Sequence, residues 1–215
     1  MAQPATAARR TLYNDPTFSD IKIRQIYKGQ VKEYVAHKAV LCAHSGWFMA
    51  ALTGRFMEAS ADIIEVHEDD PETFQRMMEF FYDMDLDVTT TPSVTPTGVN
   101  NIIKNEMVPI IELHGLADKY DAKILQKAAL VAFKTGIGVL HVVPAFEPLA
   151  KLINAHYSNC PGTMDAMSQA IVKYIYKMSA NHLSQGLFNK LAAKHSNFGA
   201  DLYLLGRADG KLVFN

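Results

Sequence analysis

The stretch YVAHKAVLCAHSGWF, residues Tyr34 to Phe48, changes its periodicity in the middle. Its first residues continue a strand pattern set by Val31 and Val35 with Glu33 between them. From Lys38 the spacing turns helical, with Val40, Leu41, His44 and Phe48, then Ala51 and Leu52, on one broad face, and Gly46 interrupts it. The stretch therefore predicts a strand running into two short helices or one bent one. It also sets His37, Cys42, His44 and Ser45 within nine positions, which raises the question of a reactive site.

Upstream, Ile21/Ile23 and Val31/Val35 alternate on either side of YKGQ, with glycine at Gly29, and read as a β-hairpin. Downstream, the β-branched run Ile63 to Val66 can add a strand to it. Asp70 is then placed to cap a helix whose first residue is Pro71, where the missing N–H costs nothing, and Glu72 complements the helix dipole. That helix runs through Phe74, Met77, Met78 and Phe81. DMDLDVTTTPSVTPTGVNN follows, rich in Thr and Pro, and is expected to be a long loop over residues 88–105. Beyond it Ile110, Leu113, Ala117, Tyr120, Leu125 and Ala128 resume helical spacing, with a break at DAK that makes a helix pair. The final third reads as helices around Phe146 to Tyr157, Met164 to Ile175, and from Phe188 onward. Strands first and helices after make an α+β chain.

Composition narrows the function classes. The 215 residues are 49% hydrophobic and 20% charged, with 21 basic against 22 acidic side chains and a formal net charge of −1. No global field recruits nucleic acid or anionic lipid. The two cysteines, Cys42 and Cys160, are far apart, which points to a reducing, intracellular location in cytoplasm or nucleus. No apolar run is long enough for a membrane span, and residues 1–17 read as a flexible tail.

The candidate chemistry thins on inspection. Zinc ligands usually come as close pairs converging on one point, whereas His37 falls at a strand end and Cys42 and His44, two apart on a helix, point away from each other. A Cys/His nucleophile needs thiolate-stabilising surroundings and an orienting third group, which only a fold can show, and Ser45 lacks the G-x-S-x-G setting. Asp83, Asp85 and Asp87 imitate the start of a calcium loop, but Val88 and Val94 stand where glycine and glutamate are needed. No phosphate-binding loop or dinucleotide fingerprint is present. No catalytic residue, metal or cofactor is expected.

What remains is the order of elements. SDIKIRQ, YVAHKAVLCAHSGWFMAAL, GRFMEAS, IIEVHEDDPETFQRMMEFFYDMDLD and LHGLADKYDAKILQKAALVAF occur in the succession and spacing of a BTB/POZ domain, which the chain resembles over about residues 18 to 134. The combination EDDPETFQRMMEFFYDMD with a helical tail is most similar to filamentous-fungal BTB proteins. The resemblance implies a small, mainly antiparallel sheet packed against α-helices, with residues 139–215 as an all-α extension. It implies that His37 and Cys42 lie in or beside the core and that Ser45 begins the next helix. Asp20 and Lys38 match the charged pair that lines a pocket in BTB transcriptional repressors. Phe56, Met57 and Glu58 match the hydrophobic-x-Glu motif of cullin-binding members, with Glu58 as plain solvated surface the alternative. The implied activity is protein-protein: a substrate adaptor or assembly subunit for a cullin-type ubiquitin ligase, or a transcription-linked scaffold. A homo-oligomer is compatible with either, and no nucleic acid, membrane or small-molecule substrate is implied.

Overall fold

The structure is a computed structural model that describes residues 11–54, 61–86, 95–138, 140, 144–158, 162–178 and 185–210. Strands β1 (Ile21–Tyr27) and β2 (Gln30–Ala36) form the expected hairpin, with Ile21 opposite Ala36 and Tyr27 opposite Gln30. Lys28 and Gly29 turn it with φ of 49° and 79°, the doubly left-handed geometry that suits the twist of a two-residue hairpin. Strand β3 (Ile63–His67) joins the other side of β1, with Lys22 opposite Ile63 and Ile26 opposite His67. The strand order is β2-β1-β3.

The β1–β3 pairing is parallel, so the sheet is mixed where a mainly antiparallel one was expected. Parallel neighbours require a crossover, and here α1 (Lys38–His44) and α2 (Gly46–Thr53) lie within it. These helices also resolve the opening stretch: the strand ends at Ala36 and the helix breaks at Ser45, whose backbone is extended. Helix α3 (Pro71–Asp83) starts as predicted, with the Asp70 carboxylate accepting from the Glu72 and Thr73 amides and Pro71 at the first position.

The Thr/Pro-rich segment departs from expectation. Residues 87–94 lie outside the described residues, but from Thr95 the chain is helical. The Thr95 hydroxyl accepts from the Gly98 amide at 3.1 Å, Pro96 opens α4 (Pro96–Ile102), a π turn follows at Ile103–Met107, and α5 (Val108–Lys119) continues. The π turn ends two residues before Pro109, whose ring has no N–H to give and crowds the carbonyl one turn back; widening the helix there accommodates it. After a break at residues 120–122 come α6 (Lys123–Gly138), α7 (Phe146–Tyr157), α8 (Ala166–Met178), α9 (Gln185–Lys194) and α10 (Ser196–Ala208).

Packing divides the chain into two units, Met1–Asp85 with Lys119–Lys123, and Leu86–Asp118 with Ile124–Asn215. In the first unit the inward face of the sheet, Ile21, Ile23, Tyr34, Ile64 and Val66, is buried with Phe48, Phe74 and Tyr120. Tyr120 stacks on Phe48 at 5.5 Å between ring centres and meets Phe74 edge-on at 5.8 Å. In the second unit one core runs from Val99 through Phe133 and Ile153 to Phe198 and Leu205. Helices on both sides of the sequence boundary at 134 and 139 share that core.

Candidate functional site

The chemistry-bearing residues of the opening stretch are spread along α1 and its two ends, each with partners of its own. His37, 7% exposed, has both ring nitrogens engaged: Nε2 lies 2.7 Å from the Thr17 carbonyl and Nδ1 3.0 Å from the Tyr82 hydroxyl. A carbonyl can only accept, so Nε2 carries the proton and the Tyr82 hydroxyl donates to Nδ1. The same hydroxyl accepts from the His37 amide at 3.0 Å. His37 thus ties the segment before β1 to the end of α3. Burial pushes the Tyr82 phenol up to about 12, so it stays a donor throughout the physiological range.

The neighbouring groups are also engaged in structure. Ser45 is buried; its hydroxyl donates to the Tyr120 carbonyl at 2.6 Å and accepts from the Phe48 amide at 3.1 Å, capping α2. Cys42 is half-buried with its thiol against the Phe48 carbonyl, and burial, reinforced by the Asp20 carboxylate, pushes the thiol pKa up, which disfavours a thiolate nucleophile. The His44 ring stacks on Phe81 at 5.7 Å, and burial lowers its pKa. Its Nδ1 is buried without a hydrogen-bond partner among the described residues. Among the described residues no three His, Cys, Asp or Glu side chains are grouped as a metal would require.

Asp20 is exposed, and its carboxylate accepts from the backbone amide of Lys38 at 2.7 Å. It satisfies a first-turn donor of α1, the group that a helix start leaves open. Among the described residues no ion pair joins the two side chains. Phe56, Met57 and Glu58 lie outside the described residues. A groove of about 430 Å³ opens between α1 and the end of α3, lined by Leu12, Val40, Ala43, His44, Phe81 and Met84 among others, and it does not include the Asp20/Lys38 pair.

Sequence reasoning missed a second polar constellation. The Asp69 carboxylate, 5% exposed, accepts from Lys119 Nζ at 2.5 Å and from the Tyr120 hydroxyl at 2.6 Å. Its backbone carbonyl accepts from Gln25 Nε2 at 2.9 Å, and Gln25 Oε1 accepts from the Tyr34 hydroxyl at 3.1 Å. Burial first, and Asp69 second, hold the Tyr120 phenol well above the usual tyrosine range. In the sequence Tyr120 is only part of an apolar stripe, and nothing in its spacing identifies a partner 51 positions away.

Comparisons with known proteins agree with this architecture. Residues 11–104 match the family model of the BTB/POZ domain. The mouse protein TD and POZ domain-containing protein 4 is 35% identical over 71 residues, a stretch that covers 33% of this chain and 18% of that relative. The chain therefore spans less than a fifth of the relative's length.

Proposed function

We propose that the chain, which carries a BTB/POZ domain, uses that domain as a protein-protein interaction module, and as a substrate adaptor or assembly subunit for a cullin-type ubiquitin ligase. The observation that carries the module reading is the match over residues 11–104 to a domain of that activity on a matching α+β frame. The structural bonding of His37 and Ser45, and the raised pKa of Cys42, support binding over catalysis. The adaptor reading rests on Phe56-Met57-Glu58, which follows α2 in the sequence as the hydrophobic-x-Glu motif does. Residues 18–134 would form the domain and residues 139–215 an extension of the interface, in the manner of filamentous-fungal BTB proteins. An intracellular location suits that role, and no described helix is long and apolar enough to cross a membrane. The scaffold reading through Asp20 and Lys38 is the weaker, because the Asp20 carboxylate is occupied by the Lys38 amide.

Binding to a purified cullin N-terminal domain, measured alongside thermal stability, tests the proposal. Phe56→Ala is expected to weaken binding by about 2 kcal/mol or more, roughly thirtyfold, with little loss of stability, and Glu58→Ala by under about 1 kcal/mol. Absence of binding by the wild-type chain at micromolar concentration, or unfolding by Phe56→Ala, would sink the adaptor role at this motif.

A further inference from the structure

Helix α6 buries Leu125, packs Ala129, Phe133 and Ile137 into the core of the second unit, and turns the opposite face outward. On that outward face Ile124 is 53% and Val131 56% exposed, although both are β-branched aliphatics. Lys127 and Lys134 lie between and beyond them, also exposed. The steps from 124 to 127, 131 and 134 are three, four and three, the spacing of alternate a and d positions in a heptad seam. Ile and Val fill the a positions, where β-branched residues favour two-stranded pairing, and lysine fills both d positions.

Among the described residues the charge on this face is uncompensated. The helix carries three lysines and no Asp or Glu, so the i,i+4 carboxylates that usually accompany exposed lysines are absent. Lys123 pairs with Asp121 at 3.0 Å, but neither Lys127 nor Lys134 forms an ion pair with any described residue. With a formal net charge of −1 for the chain, the positive stripe is local.

We infer that the outward face of α6 docks a partner helix that presents apolar and acidic residues alternately at heptad spacing. The apolar positions of the partner cover Ile124 and Val131, and its carboxylates meet Lys127 and Lys134. A second copy of this chain supplies no carboxylate: parallel pairing of α6 with itself sets lysine against lysine, and antiparallel pairing sets lysine against Ile124 or Val131. The proposal goes beyond the adaptor reading and concerns a different helix from the 56–58 motif.

The test uses the full chain and two synthetic peptides of about three heptads, each with Leu at a on an alanine background, one with Glu and the other with Lys at d. In anisotropy titrations the Glu peptide should bind at least about tenfold more tightly than the Lys peptide, and the difference should shrink in high salt. The double variant Lys127→Glu/Lys134→Glu should reverse the preference, and Val131→Asp should weaken both peptides; all three positions are exposed, so the fold is retained. Equal affinities, no binding of the Glu peptide at millimolar concentration, or a preference unchanged by the charge swap would overturn the proposal. Sedimentation of the chain with phosphatidylserine vesicles, abolished by the same double variant while neither peptide binds, would overturn it in favour of a membrane surface. No cullin enters these measurements, so their failure leaves the 56–58 motif untouched.

Discussion

Asp69 shows how much one side chain organises. It is buried, yet its carboxylate holds a lysine and a tyrosine from residues 119 and 120, while its carbonyl holds Gln25 on the central strand. Removing it leaves the buried Tyr120 hydroxyl without its acceptor, which costs more than that bond contributed, while half-exposed Lys119 keeps the His67 carbonyl at 3.4 Å. Asp69→Ala is expected to destabilise the chain by about 3 kcal/mol, and Asp69→Asn, which keeps an oxygen for Tyr120, by less. Urea unfolding checks both, and an Ala variant as stable as wild type would refute the account. None of this was legible in EDDPE: two adjacent aspartates look alike in sequence, and only the fold makes Asp70 a cap and Asp69 a buried anchor. The structural role of His37, by contrast, was readable through its resemblance to a known strand-to-helix junction, and its two ring bonds now give that role a geometry.

At the scale of elements, local signals carried wherever a cap and a proline stood together. Asp70 Oδ1 accepts from the Glu72 amide at 3.1 Å and from the Thr73 amide and hydroxyl at 3.0 Å. Asp70→Ala should cost about 1 kcal/mol, seen as a lower urea midpoint with unchanged slope, whereas Asp70→Ser should recover most of it. Thr95 followed by Pro96 is the same pattern, but it stands among Thr and Pro whose composition points to a loop. The signal was present, and composition outweighed it. The parallel partner of β1 was not visible in the same way, since an alternating strand shows that one face is buried and not which neighbour it pairs with. Nor was the separation of α9 from α10 visible. His195 breaks them without glycine or proline, held by Nε2 at 2.7 Å from Asn154 Oδ1.

For the molecule as a whole, histidine burial couples stability to acidity. Burial lowers the pKa of His44, His114 and His195, and at His114 the neighbouring His156 adds to the effect. A lowered folded-state value means that the unfolded chain binds protons first, so the stability these groups contribute is present above the ordinary value of about 6.5 and is lost as pH falls through the folded values. The urea midpoint should be flat from about pH 8 to 7 and start to decline as pH falls below about 6.5, above the ordinary range of carboxylates. His114→Asn should shallow the decline, and a midpoint constant down to about pH 5.5 would contradict the burial of these rings.

The return of residues 119–123 to the first unit bears on how the chain is made. Ser45, Asp69, Phe48 and Phe74 all wait for Tyr120. A ribosome that has released everything up to α4 has therefore delivered the sheet and its helices, but neither the aromatic ring that closes their interior nor the hydroxyl that satisfies the buried carboxylate. Until α5 has also emerged, the nascent first unit carries an open apolar face and an unmatched charge, the state in which a growing chain most needs a chaperone.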